Sequence, residues 1–226
     1  MRLPSPVTAV LLDLDGTIVD SGPGIVITVS QTLAELGLPA MDPQRLELMV
    51  GPPLPWSLEH VAGVPAARVQ EAVTVYRRHY ADGAMLEAPL FPGVRALVTD
   101  LSASGIPLAL ATSKPERYAR QILDHAGLTE HFTAVCGALE DGPSSVKSVV
   151  VERALAALRA QSADTSGVVH VGDRIHDVEG AAVHGVPCVV VTWGYGATDD
   201  LSAAAATVGE PEDLRRLLGV SAPVAR

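Results

Sequence analysis

The chain has 226 residues, with 48% hydrophobic and 19% charged side chains and a formal net charge of −10. That length holds one or two small domains with a core able to fold unaided, and the composition excludes a disordered chain. The acidic balance argues against a nucleic-acid polymer or an anionic lipid surface as a general partner. No apolar run reaches membrane-spanning length, and the first one is interrupted by Asp13 and Asp15, unlike a secretion signal. No membrane association and a cytoplasmic location are therefore expected. Cys136 and Cys188 sit in separate apolar stretches and read as buried free thiols. Of sixteen basic residues only Lys114 and Lys147 are lysines, which makes the position of each informative.

Val7 to Leu12 reads as a buried strand ending in Asp13-Leu14-Asp15-Gly16-Thr17, with Gly16 marking a turn. Apolar residues then recur at helical spacing from Ile25 to Leu36, and Gly37 with Pro39 ends the segment. A short helix near 43–50, a break at Gly51-Pro52-Pro53-Leu54-Pro55 and helices near 54–61 and 66–81 follow. No strand pattern occurs between 21 and 87, so this stretch reads as a compact helical unit. After Phe91-Pro92-Gly93 the pattern changes to a helix from Val94 to Ser102, a strand from Pro107 to Ala111 and a helix from Pro115 to His125. A strand from Thr133 to Cys136, a helix from Val146 to Arg159 and a strand from Val168 to Val171 come next. A short helix from Asp177 to His184, a strand from Pro187 to Val191, an edge strand from Ala205 to Val208 and a helix from Pro211 to Leu218 complete the series.

This alternation predicts an α/β fold, an open and mostly parallel sheet with helices on both faces, carrying a small all-helical insertion. The expected organisation is a first core segment at 1–20, a helical cap at 21–87 and a second core segment at 88–226. Ligands of such sheets bind at the carboxyl ends of the strands, and the insertion would cover that site.

The polar residues that follow the predicted strands converge there. Asp13 and Asp15 follow the first strand, Thr112, Ser113 and Lys114 the second, and Asp173 and Asp177 the strand ending at Val171, while Lys147 begins a helix. Singly these residues have ordinary explanations: Asp-X-Asp as a turn, Thr112-Ser113 as a helix cap before Pro115, Lys147 as a solvated side chain. Their appearance at successive strand ends does not. Carboxylates grouped so tightly repel one another, and a hard divalent cation such as Mg²⁺, bound by a few carboxylates with water and phosphate oxygens, resolves that repulsion. The lysines and hydroxyls then suit a phosphoryl group on the opposite side.

The chain resembles the haloacid dehalogenase-like hydrolases, specifically their phosphoglycolate phosphatase-like branch with a helical cap after the first strand. The resemblance rests on Asp13-Leu14-Asp15-Gly16-Thr17, on Thr112-Ser113-Lys114, on Lys147 and on Gly172-Asp173-Arg174-Ile175-His176-Asp177, and it covers almost the whole chain. It implies that Asp13 is the nucleophile, Asp15 the general acid and base, and Lys147 a catalytic residue that offsets the nucleophile's charge. It further implies Mg²⁺ held by Asp13, the Asp15 carbonyl and Asp173 with Asp177 in support, and Thr112, Ser113 and Lys147 on the phosphoryl oxygens. The expected reaction is hydrolysis of a small phosphorylated metabolite through an aspartyl-phosphate. The bottom-up chemistry agrees, since a screened carboxylate can attack phosphorus and a second carboxyl two residues on can serve the leaving oxygen.

Asp15 counts against carbon–halogen hydrolysis, and Thr17 leans away from a sugar phosphomutase, which commonly has Val there. A 5′-nucleotidase, a pyrophosphatase, a phosphomutase and a non-catalytic phosphate-binding protein are the alternatives. The stretch Gly137 to Lys147 departs from the branch's pattern by placing Ser144 where an arginine is expected. Candidates for substrate specificity are Arg45, Trp56, His60, Lys114, Arg174 and His176. His170 reads as a core or hydrogen-bonded histidine, and Trp193-Gly194-Tyr195-Gly196 as a loop at the pocket's rim. The sequence does not decide between a monomer and a homodimer.

Overall fold

A computed structural model describes residues 1–220 other than 43, 44, 46 and 140–144. After strand β1 (Ala9–Leu12) the chain enters helices α1 (Gly22–Glu35), α2 (Leu54–His60) and α3 (Val69–His79), the last continued by a π-turn at Tyr80–Ala84. Then come α4 (Val94–Ala103), β2 (Leu108–Pro115), α5 (Glu116–His125), β3 (Ala134–Ala138), α6 (Lys147–Ala160) and β4 (Val168–Gly172). The chain continues through α7 (Ile175–Ala182), β5 (Cys188–Val191), β6 (Ala206–Val208) and α8 (Pro211–Leu217).

The six strands form one parallel sheet in the order β3-β2-β1-β4-β5-β6. Strands β1, β4 and β5 are buried along their whole length, as expected of parallel strands covered on both faces. Alternate residues divide between two cores. Val10, Leu12, Leu108, Leu110, Val169 and Val171 pack with α4, α5 and α8, whereas Ala9, Leu11, Ala109, Ala111, Cys188 and Val190 pack with α6 and α7. Both cysteines are buried and unbridged. The second face is rich in alanine, so α6 approaches the sheet closely and carries Lys147 to the strand ends.

The helical insertion joins the sheet through two crossing segments. Asp20 N–H donates to Pro89 O (2.8 Å), Phe91 N–H donates to Ile18 O (3.1 Å), and Val19 bridges Leu90 in antiparallel fashion. The apolar core is continuous from the sheet into the insertion through Ile18, Val19 and Ile25.

One local expectation is corrected. Strand β2 does not stop at Ala111 but runs through Thr112-Ser113-Lys114 to Pro115, where a register shift lets Pro115 pair with Ala138. Thr112 and Ser113 are therefore strand residues rather than a helix cap, and α5 starts after Pro115 with no side-chain cap. Near 43–50 the described residues are helical at Arg45 and form a 3₁₀ turn at Glu47–Met49, and positions 43, 44 and 46 of the expected short helix lie outside the described residues.

Helices α6 and α7 also pack closely at the site end of the sheet. A Cβ at Gly180 would lie 2.5 Å from Lys147 Cγ and 2.7 Å from Lys147 Cβ. Alanine in place of glycine within a helix otherwise adds roughly 1 kcal/mol of stability. Gly180→Ala is here expected to lower the melting temperature, and a rise in thermal melting would contradict this packing.

Candidate active site

The strand order reverses direction between β1 and β4, which opens a crevice at their carboxyl ends. Asp13 closes β1 there, its N–H donating to Val171 O at 2.9 Å, and Asp173 directly follows β4. One carboxylate oxygen from each of Asp13, Asp173 and Asp177 lies within 4.8 Å of the others, and all three residues are buried.

Lys147 holds this cluster together. Its Nζ lies 2.9 Å from Asp13 Oδ1 and 2.8 Å from Asp177 Oδ1, and donates to Ala111 O at 3.1 Å, so one ammonium links the ends of β1 and β2 with α7. Burial alone would lower the Lys147 pKa, but the two aspartates outweigh it and keep the amine protonated. Burial likewise pushes Asp177 up, yet Lys147 and His170 together hold it far below the usual carboxylate range. Asp177 is fully engaged: Oδ1 meets Lys147 and His170 Nε2 (3.0 Å), and Oδ2 accepts from Arg174 N–H (3.0 Å) at the start of α7. This identifies His170, wholly buried in β4, as a hydrogen-bonded partner of Asp177.

The other two carboxylates are less well satisfied. Asp173 Oδ2 accepts from Tyr195 N–H at 2.7 Å, while Asp173 Oδ1 is buried without a hydrogen-bond partner. Asp13 Oδ1 faces Lys147 as an ion pair and is also without a hydrogen bond. Burial first, and neighbouring carboxylates after it, raise both pKa values, with Lys147 only partly offsetting the effect at Asp13. Oxygen-only donors, orphaned buried oxygens and excess negative charge are the properties a hard divalent cation matches.

Asp15 turns away from this cluster. Its two carboxylate oxygens lie 2.8 and 2.9 Å from Lys114 Nζ, and the ammonium also sits 4.9 Å from the centre of the Tyr80 ring. Burial would lower the Lys114 pKa, but Asp15 outweighs it and the amine stays charged. Gly16, at φ +79°, makes the tight turn after Asp15, and a Cβ there would overlap the Asp173 carboxylate. Both lysines of the chain thus neutralise aspartates of the first motif.

A cleft of about 760 Å³, open solvent at its mouth included, lies between these residues and the helical insertion. Asp13, Asp15, Thr112, Ser113 and Lys114 line its floor, and Met49, Leu54, Tyr76, Arg77 and Tyr80 line its roof, with Tyr118 at the side. Tyr76 and Tyr80 stack at 5.5 Å, and Tyr80 meets Tyr118 edge-on at 6.3 Å. Tyr80 Oη is buried without a partner among the described residues. Thr112 Oγ1 accepts from Lys114 N–H at 3.2 Å.

The expected specificity residues divide. Lys114 lines the cleft, and His176 lines a neighbouring groove that shares Gly51 and Ser113 with it. Trp56, 48% exposed, stacks on His60 at 4.9 Å, and neither these two nor the exposed Arg45 is among the residues lining the cleft. Arg174 is buried and already engaged, donating to Asp199 Oδ2 at 2.8 Å and to Val50 O in the insertion. Ser144 lies outside the described residues. The cleft's tyrosines were not singled out from the sequence, although the i, i+4 spacing of Tyr76 and Tyr80 places them on one helix face.

Comparison with known proteins agrees with this geometry. The haloacid dehalogenase-like hydrolase family matches residues 10–191. A tyrosine-protein kinase, PtkA, from Mycobacterium tuberculosis is 40% identical over 215 residues, covering 93% of this chain and 72% of that protein. A 5′-nucleotidase from Pseudomonas aeruginosa is 36% identical over 194 residues, covering 86% of each chain. A plasmid-borne phosphoglycolate phosphatase from Cupriavidus necator is 34% identical over 194 residues, covering 84% of this chain and 83% of that protein. The crystal structure of a predicted phosphatase from Clostridium acetobutylicum superposes with a TM-score of 0.86 at 32% identity, covering 96% of this chain and all of the other (100%). The chain belongs to the haloacid dehalogenase-like hydrolases, within their phosphoglycolate phosphatase-like branch.

Proposed function

We propose that this protein is a Mg²⁺-dependent phosphomonoesterase that acts on a small phosphorylated metabolite through an aspartyl-phosphate on Asp13. The observation that carries this reading is the pairing of two differently held carboxyls two residues apart. Asp13 sits in the acidic cluster against Lys147, and Asp15 sits against Lys114 at the cleft floor. The relatives named as phosphatase, nucleotidase and kinase support it, since each name describes handling of a phosphoryl group.

In the first step an Asp13 oxygen attacks phosphorus, the bond to the leaving oxygen breaks, and Asp15, released from Lys114 and carrying a proton taken up from solvent, gives that proton to the leaving oxygen. Asp15 must exchange its Lys114 contacts for the leaving oxygen, and both residues line the cleft in which that oxygen would lie. In the second step Asp15 takes a proton from water as the water attacks phosphorus, which returns the Asp13 carboxylate and releases phosphate. Lys147 and Thr112 steady the phosphoryl oxygens, Ser113 lines the same floor, and Asp177 keeps Lys147 charged and in place. Mg²⁺, held by Asp13, the Asp15 carbonyl and Asp173 with Asp177 behind them, would offset the negative charge shared by carboxylate and phosphate. The helical insertion at 21–87 acts as a cap whose roof residues exclude bulk water from the cleft.

Two outcomes are expected. Asp13→Asn should reduce Mg²⁺-dependent phosphate release by about a thousandfold or more while leaving the melting temperature unchanged or higher. Substantial turnover by that variant, measured across phosphoglycolate, nucleoside monophosphates, pyrophosphate and hexose phosphates, would overturn the mechanism. Mg²⁺ at a hundredfold excess over its Kd should raise the melting temperature of the wild-type protein by roughly 5–10 °C. Asp173→Asn should abolish that shift, and an undiminished shift in the variant would contradict the assignment of Asp173 as a ligand.

A further inference from the structure

Tyr195 makes contacts at two places that the proposed reaction uses separately. Its backbone N–H donates to Asp173 Oδ2 at 2.7 Å, the carboxylate whose other oxygen has no partner. Its hydroxyl donates to Asp20 Oδ1 and accepts from Gly22 N–H at 2.7 Å, at the segment through which the chain leaves the sheet for the helical insertion. Its ring lies 6.5 Å from Phe91, on the segment through which the chain returns. Burial and Asp20 both raise the phenol's pKa, so the hydroxyl remains a donor.

The loop carrying Tyr195 has little freedom to absorb a displacement at either end. Trp193 Nε1 donates to Thr17 O at 3.1 Å, at the end of the first motif. A Cβ at Gly194 would overlap Gly16 O and Asp173 Oδ2, and one at Gly196 would overlap Asp173 O. On the hinge side, a Cβ at Gly22 would lie 2.8 Å from the Tyr195 ring. Glycine is thus required on both sides of Tyr195, where the loop touches the carboxylate and where the phenol touches the hinge. A side chain clamped in this way transmits a shift of Asp173 to Asp20 and Gly22 rather than dissipating it.

We propose that Tyr195 is a positioning residue that couples cation binding at Asp173 to the hinge of the helical cap. This rests on the reading of Asp13 and Asp173 as cation ligands. Fixing Asp173 from its free oxygen fixes the Tyr195 backbone, and through the hydroxyl it fixes the crossing segment at Asp20–Gly22, so the loaded site favours one cap position. By linkage the coupling is reciprocal: a hinge released from Tyr195 weakens cation binding without removing any ligand.

The test uses the full chain without substrate, with Mg²⁺ binding followed by calorimetry and hinge order by hydrogen exchange. The reporting amides are those of Asp20 and Phe91, which bond across the hinge and not to Tyr195. In the wild-type protein Mg²⁺ should slow exchange at both. In Tyr195→Phe, which keeps the ring and the N–H bond to Asp173, that slowing should be lost and the Mg²⁺ Kd should rise about fivefold. Asp20→Ala, which removes the acceptor, should do the same from the other side of the hydrogen bond, which keeps the test intact if one variant fails to fold. The double variant should be no worse than either single one, because both remove the same interaction. A merely structural role would lower the melting temperature of Tyr195→Phe while leaving its Mg²⁺ Kd and the Mg²⁺ response of the hinge unchanged, and that result would overturn the coupling. A wild-type chain that binds no Mg²⁺ would overturn the cation reading and the coupling together, whereas wild-type binding with an unaltered variant would overturn the coupling alone.

Discussion

Three buried carboxylates within 4.8 Å of one another are unfavourable without nearby positive charge. The fold meets that requirement in part from its own chain. Lys147 reaches Asp13 and Asp177 from the start of α6, at the end of a face kept small by Ala9, Ala109 and Ala111. Lys114 reaches Asp15 from the extension of β2. A chain with only two lysines places both of them here, Lys147 buried and Lys114 partly so, each against an aspartate of the first motif. What the lysines leave uncompensated, chiefly Asp173 Oδ1 and part of the charge on Asp13, lies in a buried acidic cluster that could hold a cation.

The rest of the architecture follows from how these charges are held. The reversal of strand order sets Asp13 beside Asp173, and Asp177 caps α7 by accepting from Arg174 N–H while it orients Lys147. Arg174 then turns its guanidinium to Asp199 and to Val50 O, tying the insertion to the loop that carries Asp173. Tyr195 makes a second tie, at the hinge. The two carboxyls of the first motif are held differently by their partners: Asp13 faces an ammonium inside the cluster, whereas Asp15 faces one at the floor of the cleft.

Much of this was legible in the sequence because strand ends in a parallel sheet converge whatever the details of packing. Asp13, Asp15, Thr112, Lys114, Lys147, Asp173 and Asp177 all meet at the predicted crevice, and every strand and helix anticipated from Val94 onward is present with boundaries shifted by at most four residues. Contacts set by tertiary packing were not legible. Trp56 and His60, candidates for substrate specificity in the helix after the proline-rich break, stack on each other and are exposed. Arg174 lies inside a metal motif, but its guanidinium is consumed by Asp199, twenty-five residues away in sequence. Tyr76 and Tyr80 carry no motif, and the packing of the helical insertion over the strand ends is what puts them on the cleft. Helix periodicity gives the face of a helix, whereas the partner of that face depends on long-range packing.

The account depends most on Asp13 carrying the phosphoryl group between the two steps. The direct measurement is rapid acid quenching of the enzyme during turnover of its best substrate with Mg²⁺, followed by mass spectrometry of the peptide that contains residues 9–20. The account predicts a phosphoryl adduct on Asp13 that forms and decays at rates consistent with turnover and is absent from Asp13→Asn. Full turnover with no adduct on Asp13, or with an adduct on another residue, would contradict it.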